Sequence, residues 1–238
     1  MSEAETQAHQ FEKPTKTNLK FWGLEPELCT VSPDGRVNYN GTVRLFLNDM
    51  THLPFPFGTI SRYFVVESCS KLESLQGFPE EVRGSTELVS LPKLRSLEGI
   101  GGCRFNGPLD ILDLPGLTSF HGMENCVVRR DLRLQDLPGV HDFRGLPVTV
   151  NRLSFVQWYT FTSFRGLPLM EEKRQHELSV FRLKRKGLEL VAAALANRPE
   201  DLPRIILTGK NSFRQLMARE LMSTGECWVG AKRWEVPH

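Results

Sequence analysis

Leu72-Glu73-Ser74-Leu75-Gln76-Gly77-Phe78-Pro79 and Leu94-Arg95-Ser96-Leu97-Glu98-Gly99 are two copies of one phrase, and the interval between them decides the fold. The phrase recurs as Leu117-Thr118-Ser119-Phe120-His121-Gly122, Val140-His141-Asp142-Phe143-Arg144-Gly145 and Phe161-Thr162-Ser163-Phe164-Arg165-Gly166, with a weaker Met50-Thr51-His52-Leu53 ahead of them. Its second apolar residue is an anchor: Leu53, Leu75, Leu97, Phe120, Phe143 and Phe164. The anchors are spaced 22, 22, 23, 23 and 21 residues apart, and five of the six have glycine two residues on. A fixed period of this size marks stacked coils, each unable to bury its own apolar face alone.

Ahead of each anchor runs a short apolar alternation: Phe64 and Val66, Leu88 (with Thr86 as its weaker partner), Leu109 and Ile111, Leu132 and Leu134, Leu153 and Phe155. Period two means a strand with one buried face. Cys69, Leu91, Leu114, Leu137 and Trp158 follow as a further inward position. Pro92, Pro115 and Pro138 then end the strand, because proline has no N–H for a ladder. The glycine after each anchor permits a positive φ at the next corner. Length variation falls around Val82, Phe105, Val128 and Val150, which read as the insertion-tolerant side of the coil. The fold expected is a mainly β repeat solenoid, leucine-rich-repeat-like, with a period near 22 and about six repeats.

Outside the repeat, residues 1–18 are polar and aperiodic and read as a flexible arm. Residues 19–41 read as an N-terminal cap, with Phe21, Trp22 and Leu24 closing the stack, Pro33-Asp34-Gly35 as a turn and Asn40-Gly41 as a hairpin signal between Val37 and Val43. The solenoid proper is 42–169. Residues 170–238 read as an α/β C-terminal cap, with an independent domain as the alternative. Helical spacing at Leu188, Leu190, Val191, Ala194 and Leu195, a strand at Ile205-Ile206-Leu207, and an Asn211-capped helix from Ser212 to Met222 compose it.

The repeat phrase resembles that of a group of short leucine-rich-repeat proteins found largely in bacteriophage genomes, whose repeats read LTSLEGxP. Val31-Ser32-Pro33-Asp34-Gly35-Arg36-Val37-Asn38-Tyr39-Asn40-Gly41-Thr42-Val43 is similar to that group's lead-in INPDGSVNVNGDV, and Leu53-Pro54-Phe55-Pro56-Phe57-Gly58 to its LPxxFG. Arg182-Leu183-Lys184-Arg185-Lys186-Gly187-Leu188 matches more loosely. The resemblance spans roughly residues 29–190; the group's CSNN strand ends are mostly replaced here, and later repeats use Phe for Leu. It implies a coiled fold and a phage origin, and it assigns no activity.

The chain has 238 residues with 30 Lys+Arg against 28 Asp+Glu, a balance that favours no partner class. No apolar run reaches transmembrane length, and the polar N-terminus is unlike a secretory leader. Five cysteines without a CxxC pair suit a reducing compartment, so a cytoplasmic setting is expected, the host cell's if the protein is phage-encoded, with a virion as the other possibility. Gly209-Lys210-Asn211-Ser212 lacks the spacing of a phosphate loop and reads as a helix cap. The six histidines contain no HExxH; His121 occupies a column shared with Gln76, Glu98, Arg144 and Arg165, a solvated rim. Ser74, Ser96, Ser119, Asp142 and Ser163 form a polar column without a His–acid pair, better suited to bonding turn backbone than to nucleophilic catalysis. Cys103 and Cys126, two thiols without a third ligand, read as packing. No catalytic residue, metal ligand set or cofactor is expected.

Charge and exposure point to binding. Residues 1–169 balance at −2, and residues 170–238 at +4. A basic rim is expected at Arg144, Arg165, Lys173, Arg174, Arg182, Lys184, Arg185 and Lys186. The strand's outward columns include Glu87, Asp110 and Arg133, then Glu67, Val89, Gln135, Leu112 and Val156, an apolar strip among charges of the kind that protein interfaces use. The expected function is non-enzymatic binding of a protein, a host factor if the phage resemblance holds. Alternatives are a structural component of a virion or assembly, and nucleic-acid binding through the 173–186 segment. No membrane association is expected.

Overall fold

A computed structural model describes residues 11–46, 49–147 and 149–156, together with five short strands further along the chain. The described residues are mostly β, with very little helix among them, and form a β-solenoid of about five turns. The strands are β1 (Cys29–Val31), β2 (Val37–Tyr39), β3 (Val43–Phe46), β4 (Phe57–Ile60), β5 (Phe64–Glu67), β6 (Glu81–Val82), β7 (Thr86–Val89), β8 (Arg104–Phe105), β9 (Leu109–Leu112), β10 (Val127–Gln135), β11 (Thr149–Val156) and β12 (Leu169–Met170).

Two parallel ladders run the length of the coil. One stacks β3, β5, β7 and β9 onto the second halves of β10 and β11, so that Leu45, Val66, Leu88, Ile111, Leu134 and Phe155 share one rung line. The other stacks β2, β4, β6 and β8 onto the first halves of β10 and β11 and ends on β12, aligning Ile60, Val82, Phe105, Val128, Val150 and Met170. Alternation fixes which residues face in: Thr86 and Leu88 are buried while Glu87 and Val89 are not, and β9 repeats the pattern. The anchors Leu53, Leu75, Leu97, Phe120 and Phe143 fill the interior with Cys69, Leu91, Leu114 and Leu137, as the period predicts. Phe164 and Trp158 lie outside the described residues. Positive φ at Gly77, Gly99, Gly122 and Gly145 turns the chain after each anchor.

Three sequence expectations are corrected. The segment around Val82, Phe105, Val128 and Val150, read as the insertion-tolerant side of the coil, is a second ladder. Its one-residue length differences are taken up beforehand, for example at Gly101-Gly102, where Gly102 has φ +80. Asn40-Gly41 is no hairpin, since β2 pairs with β1 and β4 while β3 pairs with β5. Gly41 instead starts a corner between the two ladders. Later corners use Gly84 and Gly107, where a Cβ would come within 2.4 Å of Arg62 O and 2.3 Å of Gly84 O. Arg130 replaces that glycine in the next coil, and there the corner straightens into the nine-residue β10 with a register shift between Val128 and Asp131. The third correction concerns Phe21, which is 78% exposed and rests edge-on against Trp22, while Leu19 and Leu24 cover the end of the stack.

The helix α1 (Lys16–Phe21) begins inside the segment read as an arm, because Thr15 Oγ1 accepts from Asn18 N at its N-terminus. Glu12 N donates to Pro54 O, and Trp22 Nε1 to Glu12 Oε2, which tie this segment down from residue 12. Farther along, β13 (His176–Ser179), β14 (Ile205–Thr208), β15 (Cys227–Val229) and β16 (Lys232–Trp234) form a separate four-stranded sheet, parallel except for β15–β16. Strand β14 includes the predicted Ile205-Ile206-Leu207; the helices predicted over 188–195 and 212–222 lie outside the described residues.

Thr86 is the weak member of the inward set, and its Oγ1 is buried without a hydrogen-bond partner among the described residues. Phe64 and Leu109, its rung neighbours, are both buried apolar residues. Replacing Thr86 by the near-isosteric Val removes an unsatisfied hydroxyl and is expected to stabilise the protein by about 1–2 kcal/mol. Denaturant unfolding checks this, and a lower midpoint for Thr86→Val would contradict it.

Candidate protein-interaction face

Positions that alternate with the inward set of the first ladder make two columns, within which Val65 is buried. Arg44, Val65, Glu87, Asp110, Arg133 and Ser154 are in register as the first. Phe46, Glu67, Val89, Leu112, Gln135 and Val156 are the second. Every predicted binding residue therefore falls on one sheet face. For Val156 the placement rests on the backbone register alone. Sequence reasoning missed Arg44 and Phe46, one period before Val65 and Glu67, because the first repeat lacks the glycine that marks the others.

Charge on this face is uneven. Glu67, Glu87 and Asp110 crowd its middle, and Arg44 and Arg133 stand at its ends. Arg44 Nη1 lies 3.6 Å from Glu67 Oε2, and Arg133 Nη1 3.2 Å from Asp110 Oδ2. Glu87 and Asp110 are rung neighbours, where like charges destabilise a ladder. Burial pushes the Asp110 carboxyl up; Arg133 opposes the shift, and Glu87 and Asp131 add to it. Beside these acids, Val89 and Leu112 are half-buried on the outer side and are not part of the interior cluster. At the N-terminal end, Phe46 is 53% exposed and opens onto an apolar groove of about 740 Å³ shared with Phe21, Trp22 and Met50.

A column of left-handed residues borders the face. Ser68, Ser90, Asp113 and Asp136 have φ between 51° and 55°, which few residues other than glycine adopt. They turn the chain inward to Cys69, Leu91, Leu114 and Leu137 without breaking the ladder: Ser68 N donates to Val89 O, Ser90 N to Leu112 O and Asp113 N to Gln135 O. Ser90 Oγ also donates to Asp113 Oδ2 at 2.7 Å. This register of bends holds the two columns in line.

Of the remaining candidates Arg144 lies on the turn side, apart from the outward columns, exposed and with its Nε 2.7 Å from Asp142 Oδ2. Arg165, Lys173, Arg174, Arg182, Lys184, Arg185 and Lys186 lie outside the described residues. In Arg144's column, His121 is gripped by Glu124 at 2.8 Å and Glu98 at 3.2 Å, and the Glu124 hydrogen bond holds its imidazole above the ordinary histidine range. Ser74 Oγ accepts from Gln76 N, Ser119 Oγ from His121 N and Asp142 Oδ1 from Arg144 N, so the polar column serves the turns. Cys126 Sγ donates to Ile100 O, and burial pushes the Cys69 and Cys126 thiols up to about 11 and Cys103 higher still, which makes all three poor nucleophiles. No group of three His, Cys, Asp or Glu side chains poised for a metal occurs among the described residues. No helix there is long and apolar enough to cross a membrane.

Compared with family models, with curated proteins and with solved structures, the chain matches none.

Proposed function

We propose that the protein is a non-enzymatic binding module that holds a protein partner on the outer face of its first ladder. The observation that carries this reading is the pairing of the half-buried Val89 and Leu112 with the crowded acids Glu87 and Asp110 on one sheet face. Apolar side chains outside the core gain from cover, and neighbouring carboxylates gain from a cation. A partner presenting aliphatic groups beside Lys or Arg satisfies both, and the charge steers its approach. The repeat phrase Leu72–Pro79 and the lead-in 31–43 support a phage-type leucine-rich-repeat protein, and hence a bacterial host factor as the partner, met in the cytoplasm of the infected cell.

The test is affinity capture from nuclease-treated bacterial lysate with the full chain and, in parallel, a Val89→Glu/Leu112→Glu variant whose circular dichroism matches the wild type. One host protein held stoichiometrically by the wild type, and at least tenfold less by the variant, is the expected result. Equal capture by both would remove this face from consideration. Recovery of self-assembled material alone would favour a structural component of a phage particle.

A further inference from the structure

Outside the interaction face, the corner joining the two ladders carries a run of arginines that sequence order conceals. Arg62, Arg83, Arg104, Arg129 and Arg130 come from four successive coils, and all are exposed. Stacking brings them together. Ser61, Arg83, Asn106 and Arg129 each directly follow a residue of the Ile60, Val82, Phe105, Val128 rung line. Arg104 is the rung neighbour of Val127, and Arg130 occupies the corner position held by Gly84 and Gly107 in earlier coils. Coils stack about 4.8 Å apart, so the strip extends over about 15 Å.

The strip is short of counter-charge. Glu80 is taken up by Arg36 at 3.0 Å, and Glu81 by Arg83 at 3.7 Å and by Asn106 Nδ2 at 2.8 Å. Arg62, Arg104, Arg129 and Arg130 form no ion pair among the described residues, whereas Arg44, Arg133 and Arg144 each do. Outward positions of this corner hold no lysine. Guanidinium forks suit phosphate oxygens better than point-like ammonium groups do.

We propose that this arginine corner binds the phosphate backbone of a nucleic-acid duplex. A strip of guanidiniums, four of its five without an ion pair, fits a polymer that presents a row of phosphates, whereas protein surfaces mix their charges. A convex corner with one exposed aromatic, Tyr63, suits the outward phosphates of a duplex; single strands are held in grooves lined by stacking rings. The site is distinct from the acidic and apolar face of the proposed protein partner, and it does not involve the 173–186 segment.

The experiment titrates a short labelled DNA duplex of mixed sequence with the full chain across a salt series, read by fluorescence anisotropy. Neutralising four or five phosphates gives a slope of log K against log salt of about −4. Arg129→Ala/Arg130→Ala, outward substitutions whose fold is verified by circular dichroism, flatten the slope by about 2 and weaken binding at low salt at least tenfold. Lys184→Ala/Arg185→Ala/Lys186→Ala leaves both unchanged. Absence of saturable binding at low salt, an unchanged slope in the double variant, or loss of binding in the triple variant each overturns the proposal. Displacement of the duplex by poly-glutamate at equal charge concentration also overturns it, in favour of an acidic protein partner.

Discussion

Gly122→Ala is expected to destabilise the protein by about 3–5 kcal/mol, and Gly102→Ala by only about 1–2 kcal/mol, though both glycines have positive φ. The backbone term is common to them: a left-handed residue other than glycine costs roughly 1–2 kcal/mol. Surroundings make the difference. A Cβ on Gly102 would meet nothing within 4 Å, whereas one on Gly122 would lie 2.4 Å from Leu97 O and 2.5 Å from Leu97 C, both backbone atoms of the preceding coil. Gly99 and Gly145 stand in the same relation to Leu75 and Phe120. No rotamer change relieves such a contact, so the coils must separate, and the interior contacts of Leu97 and Phe120 are loosened with them. For a domain of this size the loss lowers the melting temperature by roughly 10 °C, against a few degrees for Gly102→Ala. Thermal melts of the two variants side by side check this, and equal shifts would mean that the glycine column serves only the turn and not the approach of the coils.

That column was legible in the sequence because it sits in the longest shared phrase. The anchor of each phrase, the proline after the strand and the inward alternation were legible for the same reason: each recurs at the coil's own interval. The second ladder was not. Strands β6 and β8 are two residues long and contribute one buried side chain each, Val82 and Phe105, too little for any alternation to register. What makes them strands is the neighbouring coil, whose backbone supplies their hydrogen bonds. Corner glycines were hidden because their need arises between coils: Gly107 is forced by Gly84 O, an atom more than twenty positions away. The left-handed column was hidden because Ser68, Ser90, Asp113 and Asp136 look like ordinary polar strand ends.

The site divides along the same line. Glu67, Glu87, Val89, Asp110, Leu112, Arg133 and Gln135 could be assigned to one face because strand register follows from the period once the inward set is known. The arginine corner could not, since its residues occupy four different local contexts and become neighbours only when the second ladder is built. Arg144, read as part of a basic rim, is exposed on the turn side, with Asp142 two residues earlier bonded to its Nε.

Phe64→Ala is expected to cost about 3–5 kcal/mol, and to do so unevenly along the coil. The Phe64 ring is fully buried, 5.5 Å from Phe57 and 5.1 Å from Phe78, both edge-on. Phe55 extends the run beyond Phe57, and Phe105 extends it beyond Phe78. Phe64 thus joins a ring from the second ladder to one on the return segment, and its loss leaves a cavity where three sides of the coil meet. Each broken edge-to-face pair adds about 0.5–1.5 kcal/mol to the area term. Phe64→Leu keeps most of the volume and should cost no more than about 1.5 kcal/mol. A solenoid's stability is close to a sum of nearest-neighbour terms, so the damage should stay local. Hydrogen exchange in Phe64→Ala should therefore accelerate at β3, β5 and β7, while the amides of β9 and the second half of β10, packed around Phe120 and Phe143, keep their protection. Uniform acceleration through both regions would mean that the coil unfolds as a single unit, and that the aromatic run is a support for the whole stack rather than for its first turns.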